Sequence, residues 1–209
     1  MMNAIHYRQA VGAIAAVALF CSAATEAGAS TCRADPGVYR LETNMPIDEY
    51  TRAEITAIRF GSVADLYLTD AVYSSVIGIA NIAEPYTISA SVDAKRWRLS
   101  FRGENGESGT LTLLVPTRMT AYAADIHDND ESHTRSPVLY KEWRFEGVAR
   151  GNGVFKAGFT ASARYTLVFQ GRGNRCDEGR QFTHWRLEVS GRKAGYAFFG
   201  KLATPVPES

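Results

Sequence analysis

Histidine and cysteine are scarce in this chain of 209 residues, which has four and three of them respectively. Several motifs that carry chemistry are also missing. There is no Gly-x-Ser-x-Gly elbow, no His-Glu-x-x-His, no phosphate-binding glycine loop ending in Lys-Ser/Thr, and no dinucleotide fingerprint. Nucleophilic catalysis by a Ser–His or Cys–His pair is therefore poorly supplied, and the chain reads as a binding protein before an enzyme. No cofactor is implied. Charge of one sign is lacking as well. A formal net charge of +1 argues against a dedicated nucleic-acid binder, which is usually strongly basic. No apolar run reaches the roughly 20 residues that a membrane-spanning helix needs.

The longest such run, Ala10–Phe20, follows Arg8 and precedes Ala27-Gly28-Ala29. A basic start, an apolar middle and a small-x-small end predict a secretory signal peptide over residues 1–29, with Ser30 as the mature N-terminus. The alternative is an uncleaved N-terminal anchor. Cleavage predicts a secreted or periplasmic protein, with one β-barrel-like domain over residues 30–202 and a disordered polar tail over 203–209. Cys21 leaves with the signal peptide. In an oxidising compartment the remaining Cys32 and Cys176 predict a disulfide. That bridge would close a loop of about 145 residues, worth roughly 5 kcal/mol in the chain-entropy description. One cysteine at each end lacks the spacing of a zinc site.

The dominant periodicity is two. From Phe155 to Phe169 every odd position is apolar or small, which predicts one long strand with a bend near Gly158. Three segments open Trp-Arg-apolar: Trp97-Arg98-Leu99, Trp143-Arg144-Phe145 and Trp185-Arg186-Leu187. Each leads into a glycine-containing turn, which predicts three hairpins. Further strands are expected at Val38–Leu41, Ile55–Phe60, Ala64–Leu68, Val72–Ile79, Tyr86–Val92 and Leu111–Val115, and a short helix at Ile47–Ala53. The fold class is all-β: a single-domain antiparallel meander, closed or nearly closed as a barrel of about 8–10 strands, with at most one or two short helices. The alternation leaves open whether the apolar face points inward or, as in an outer-membrane barrel, toward lipid.

Two constellations stand out. Trp97, Trp143 and Trp185 are the largest apolar groups; on neighbouring strands they would line a ligand pocket or fill the core. Asp125, His127, Asp128, Asp130, Glu131 and His133 gather four carboxylates and two imidazoles within nine residues. These are metal-ligand types, but their spacing fits no standard site, so only weak metal affinity is expected. Charge is uneven along the chain. Residues 30–140 hold 10 basic and 15 acidic side chains, residues 141–202 hold 12 and 5. Either the halves neutralise one another, or Arg164, Arg172, Arg175, Arg180, Arg186, Arg192 and Lys193 form a basic face for an anionic partner. Glu142, Arg144 and Glu146 share one strand face as an exposed charge ladder.

These features favour an exported soluble protein that holds a small apolar or amphipathic ligand in a β-barrel. The alternatives are a protein–protein interaction factor of inhibitor or immunity type, a metal-dependent hydrolase, and a small outer-membrane barrel. The expected partner is a small apolar ligand or another exported protein, with no nucleic acid; a membrane enters only for the outer-membrane reading.

Overall fold

The structure, a computed structural model, describes residues 41–67, 76–124, 139–173 and 178–203. Ten strands appear among them: β1 Leu41–Pro46, β2 Val63–Leu66, β3 Tyr86–Val92, β4 Arg96–Gly103, β5 Ser108–Leu114, β6 Arg118–Ala124, β7 Tyr140–Gly151, β8 Ala163–Arg172, β9 Phe182–Gly191 and β10 Ala194–Lys201. One α-helix, α1 (Glu49–Ala57), follows β1. Short 3-10 segments cover Gly153–Thr160 and Gly179–Gln181.

All described pairings are antiparallel. The sheet runs β1-β6-β7-β5-β4-β3-β2-β10-β9-β8, and β8 returns to β7. Eight strands thus close a barrel, from β7 through β5, β4, β3, β2, β10 and β9 to β8. β1 and β6 form a flap on the same edge of β7 that β5 uses. The branching has a simple cause. The long β7 pairs with β5 up to Leu113↔Ala149 and with β6 from Thr120↔Arg144. Between those rungs the β5–β6 side carries seven steps against five on β7. The surplus lies at Val115-Pro116-Thr117, where Pro116 has no N–H for a ladder.

The hairpins read from the Trp-Arg segments are present. β4 turns into β5 through Glu104–Glu107, with Gly106 at φ +83°. β9 turns into β10 through Arg192-Lys193 alone. β7 and β8 pair from Tyr140↔Arg172 to Ala149↔Ala163, but their connection is longer than a tight turn. Here the expectation of one strand from Phe155 to Phe169 is corrected. Gly153 takes φ +58°, and a Cβ there would lie 2.2 Å from the Ser108 carbonyl oxygen. The chain turns at this glycine and coils as a 3-10 segment to Thr160, so strand alternation begins only at Ala163. Ala157 is exposed, whereas Ala163, Tyr165, Leu167 and Phe169 all face the core.

The N-terminal expectations also shift. The helix expected at Ile47–Ala53 forms at Glu49–Ala57 and replaces part of the strand expected at Ile55–Phe60. Asp48 caps it by accepting the Thr51 N–H at 2.8 Å. Thr51 and Ile55 then fall on one helical face and are buried, with Ile47 and Ile58 buried at its two flanks. Of the strand expected at Val72–Ile79, Ile77 makes a bridge to Gly195; residues 72–75 lie outside the described residues, as do 38–40.

The apolar faces point inward. Trp97, Trp143, Trp185, Tyr86, Tyr165, Phe101, Phe145, Phe155, Phe169 and Phe198 are all below 2 % exposed. Phe155 enters one mouth of the barrel, 5.3 Å from the Phe101 ring and stacked 5.7 Å from Tyr196. At the other end Phe60, just after α1, packs edge-on to Trp185 at 5.3 Å and Phe169 at 5.8 Å. An eight-stranded barrel is just wide enough to be filled by its own side chains, and these rings fill it.

Candidate binding groove

The outer wall of β7–β10 is built from the positions that alternate with this core. Glu142, Arg144 and Glu146 on β7, Val168 and Gln170 on β8, His184, Arg186 and Glu188 on β9, and Ala197, Phe199 and Lys201 on β10 all lie outside. Register places them in rows. One row reads Asp65, Phe199, Arg186, Val168, Arg144; the next reads Lys201, His184, Gln170, Glu142. Charged side chains at so many outward positions are the reverse of the apolar band that a lipid-facing barrel requires.

The odd member is Phe199. It follows Phe198, and two successive residues of a strand cannot both face inward. Phe198 is fully buried and Phe199 is 42 % exposed. Its ring packs edge-on to the exposed Tyr67, with centroids 6.3 Å apart and planes at 75°. Tyr67 is held beside β10 because its N–H donates to the Ala197 carbonyl at 2.8 Å.

Two hollows flank Phe199. One, of about 340 Å³, is lined by Tyr67, Gln170, His184, Trp185, Arg186, Ala197, Phe198, Phe199 and Gly200. The other, of about 490 Å³, is lined by Gly61, Ser62, Val63, Asp65, His184, Phe199, Gly200 and Lys201. Gly200 belongs to both. A Cβ on it would lie 2.6 Å from the Val63 carbonyl oxygen and 2.9 Å from Trp185 Nε1, so only glycine fits between the core indole and β2.

The electrostatics of the wall are mixed. Arg186 meets Glu188 at 2.8 Å and Arg144 meets Glu142 at 3.3 Å. The first pair is about half exposed on both sides, and such pairs contribute little to stability. His184 Nδ1 lies 2.9 Å from Thr183 Oγ1. The Tyr140 hydroxyl donates to the Glu142 carboxylate. Burial first, and then this bond to the carboxylate, push the Tyr140 phenol well above its ordinary range. Tyr165 and Tyr196 are raised by burial.

The three tryptophans read as candidate ligand contacts stand in the packed interior. Trp97 lies 5.2 Å from the Phe145 ring and Trp143 lies 4.9 Å from Phe182. Only Trp185 borders the groove. The indole N–H groups of Trp97 and Trp185 have no hydrogen-bond partner among the described residues, a cost of about 1–3 kcal/mol each that the packing must offset. The ladder Glu142, Arg144, Glu146 lies on one outward face as expected. Of the seven residues of the basic face, Arg164, Arg172, Arg180, Arg186, Arg192 and Lys193 are exposed, with Arg180 paired to Glu178 at 3.1 Å, and Arg175 lies outside the described residues. Cys32, Cys176 and the cluster Asp125, His127, Asp128, Asp130, Glu131 and His133 also lie outside them. Among the described residues no group of three or more His, Cys, Asp or Glu is placed to hold a metal.

No family model, curated protein or solved structure matches the chain. The reading of function therefore rests on the geometry. Tyr67 and Phe199 were not singled out from the sequence. The available signal was Phe198-Phe199 itself, an apolar pair that breaks the alternation of the last strand.

Proposed function

We propose that this protein is an exported, non-catalytic binding module that takes an amphipathic ligand on the outer wall of its barrel, in the groove around Phe199. The observation that carries this reading is the contrast between a filled interior and an exposed aromatic pair on an otherwise polar wall. A barrel that stores a ligand inside needs open interior volume, and here that space holds Trp97, Phe145, Leu167 and Phe198. The 340 Å³ hollow lies within the roughly 300–1,000 Å³ range of small-molecule sites, and its apolar lining carries a few convergent polar groups. Export follows from the signal peptide expected over residues 1–29.

A protein partner is the second reading. It is favoured by Val63, Tyr67 and Phe199, which stand exposed among charged side chains, the composition of a small interface hot spot. The metal-dependent reading rests on the Asp125–His133 segment alone, and the outer-membrane reading is opposed by the charged outer wall.

The test is a fluorescence titration with N-phenyl-1-naphthylamine, a neutral apolar probe. One saturable site is expected in the wild type, weakened at least ~10-fold by Tyr67→Ser with Phe199→Ser. Equal binding by the double variant would exclude the groove.

A further inference from the structure

The groove has a sign. Two cationic side chains, Arg186 and Lys201, line the hollows beside Phe199, and among the described residues Asp65 is the one carboxylate that lines either. Arg186 sits directly across from Phe199 in the β9–β10 register, and Lys201 lies two residues further along the same outward face. Lys201 has no carboxylate within 4.0 Å among the described residues. Arg186 is held by Glu188 in an exposed pair, which a better-placed anion can exchange at little cost. His184, across from Lys201, meets Thr183 through Nδ1, and its Nε2 has no hydrogen-bond partner among the described residues. The Gln170 amide adds a neutral polar group on the far side.

Resting on the groove reading above, we propose that the ligand class is a small aromatic monoanion, a flat ring bearing one carboxylate. The ring lies against Phe199 and Tyr67. The carboxylate meets Arg186, whose planar fork matches two oxygens at once, with Lys201 supplying a second positive charge. Aromatic rings prefer offset or edge-on contact, and the 75° angle between Tyr67 and Phe199 already presents one face and one edge to a third ring. Asp65, on the opposite side of Phe199 from Arg186, repels a second negative charge, which limits the ligand to one.

The experiment displaces N-phenyl-1-naphthylamine with three compounds of one shape and different charge: 2-naphthoate, 2-naphthylmethanol and 2-naphthylmethylamine. We expect 2-naphthoate to displace the probe at a concentration ~10-fold or more below the other two. Arg186→Gln with Lys201→Gln is expected to abolish that advantage, so that 2-naphthoate displaces the probe no better than 2-naphthylmethanol. Both changes are on the outer wall and leave the core intact, which an unchanged urea-unfolding midpoint read by tryptophan emission verifies. Equal displacement by all three compounds, or a preference for the amine, overturns the anion class and leaves the groove standing. Failure of the neutral probe to bind, or binding that survives Phe199→Ser with Tyr67→Ser, overturns the groove itself and the anion class with it.

Discussion

Replacing Leu167 by alanine measures whether the barrel is filled. Leu167 lies mid-way along β8, directly between Phe145 of β7 and Leu187 of β9, and all three are fully buried. The change removes roughly three carbon groups at about 0.8 kcal/mol each and adds a cavity term, because the flanking strands are fixed by their ladders and cannot close the gap. The expected loss is about 3–4 kcal/mol. Urea unfolding followed by tryptophan emission reads it directly, since Trp97, Trp143 and Trp185 all sit in the same core. The midpoint should fall while the slope stays constant, which marks a change in stability and not in compactness. Glu188→Ala, one residue along β9 and facing outward, is the control and should shift stability by no more than about 0.5 kcal/mol. A loss below about 0.5 kcal/mol for Leu167→Ala would refute the packed interior, return the ligand to the inside of the barrel, and remove the main support for a groove on its wall.

Gly153→Ala should destabilise by at least about 2 kcal/mol, from the left-handed backbone and the contact with the Ser108 carbonyl; a melting temperature within about 1 °C of wild type would contradict this. Asp48→Asn should keep the helix cap but remove a pH dependence. The Thr51 backbone N–H holds the Asp48 carboxyl below its ordinary value, so its contribution is present above the unfolded carboxylate range, about pH 4, and disappears as pH falls through the lowered folded value. The variant should therefore lose less stability than wild type between pH 5 and pH 2, as about equal slopes in parallel melts would disprove. Exported protein should begin at Ser30 and carry no free thiol; intact mass with thiol labelling that shows two reactive cysteines would remove the Cys32–Cys176 bridge.

The barrel was legible where alternation was strict. Ala163, Tyr165, Leu167 and Phe169 face inward as their spacing predicts. The same period failed between Phe155 and Ala161 because Ala157 and Gly158 are small enough to mimic either face, and because Gly153 redirects the chain before the pattern begins. The α1 boundaries moved because Thr51 and Ile55, four residues apart, share a helical face as readily as a strand face, and the Asp48 cap decides between them. The groove was less accessible to sequence reasoning. Tyr67 and Phe199 are more than a hundred positions apart and meet only because β2 closes on β10. The tryptophans attracted attention for their size, which is also what suits them to the interior.

That closure is thin. β2 has four residues and holds two rungs on each side, Leu66↔Phe198 and Asp65↔Phe199 with β10 and Val63↔Thr87 and Ala64↔Tyr86 with β3, where β8 and β9 share nine. A barrel opens most readily where its wall has fewest rungs. Amide deuteration should therefore reach Tyr67 and Gly61, which donate to Ala197 and Lys201, long before it reaches the β7–β8–β9 wall. During synthesis β2 emerges early and can pair with β3, but its other edge must wait for the end of the chain, so shutting this seam is the natural last event of folding. The groove straddles the seam, with Val63, Asp65 and Tyr67 on one lip and Phe199 and Lys201 on the other. An occupant that touches both lips is a stitch across one of the two thinnest joins of the barrel, and its affinity is coupled to how often that join is closed.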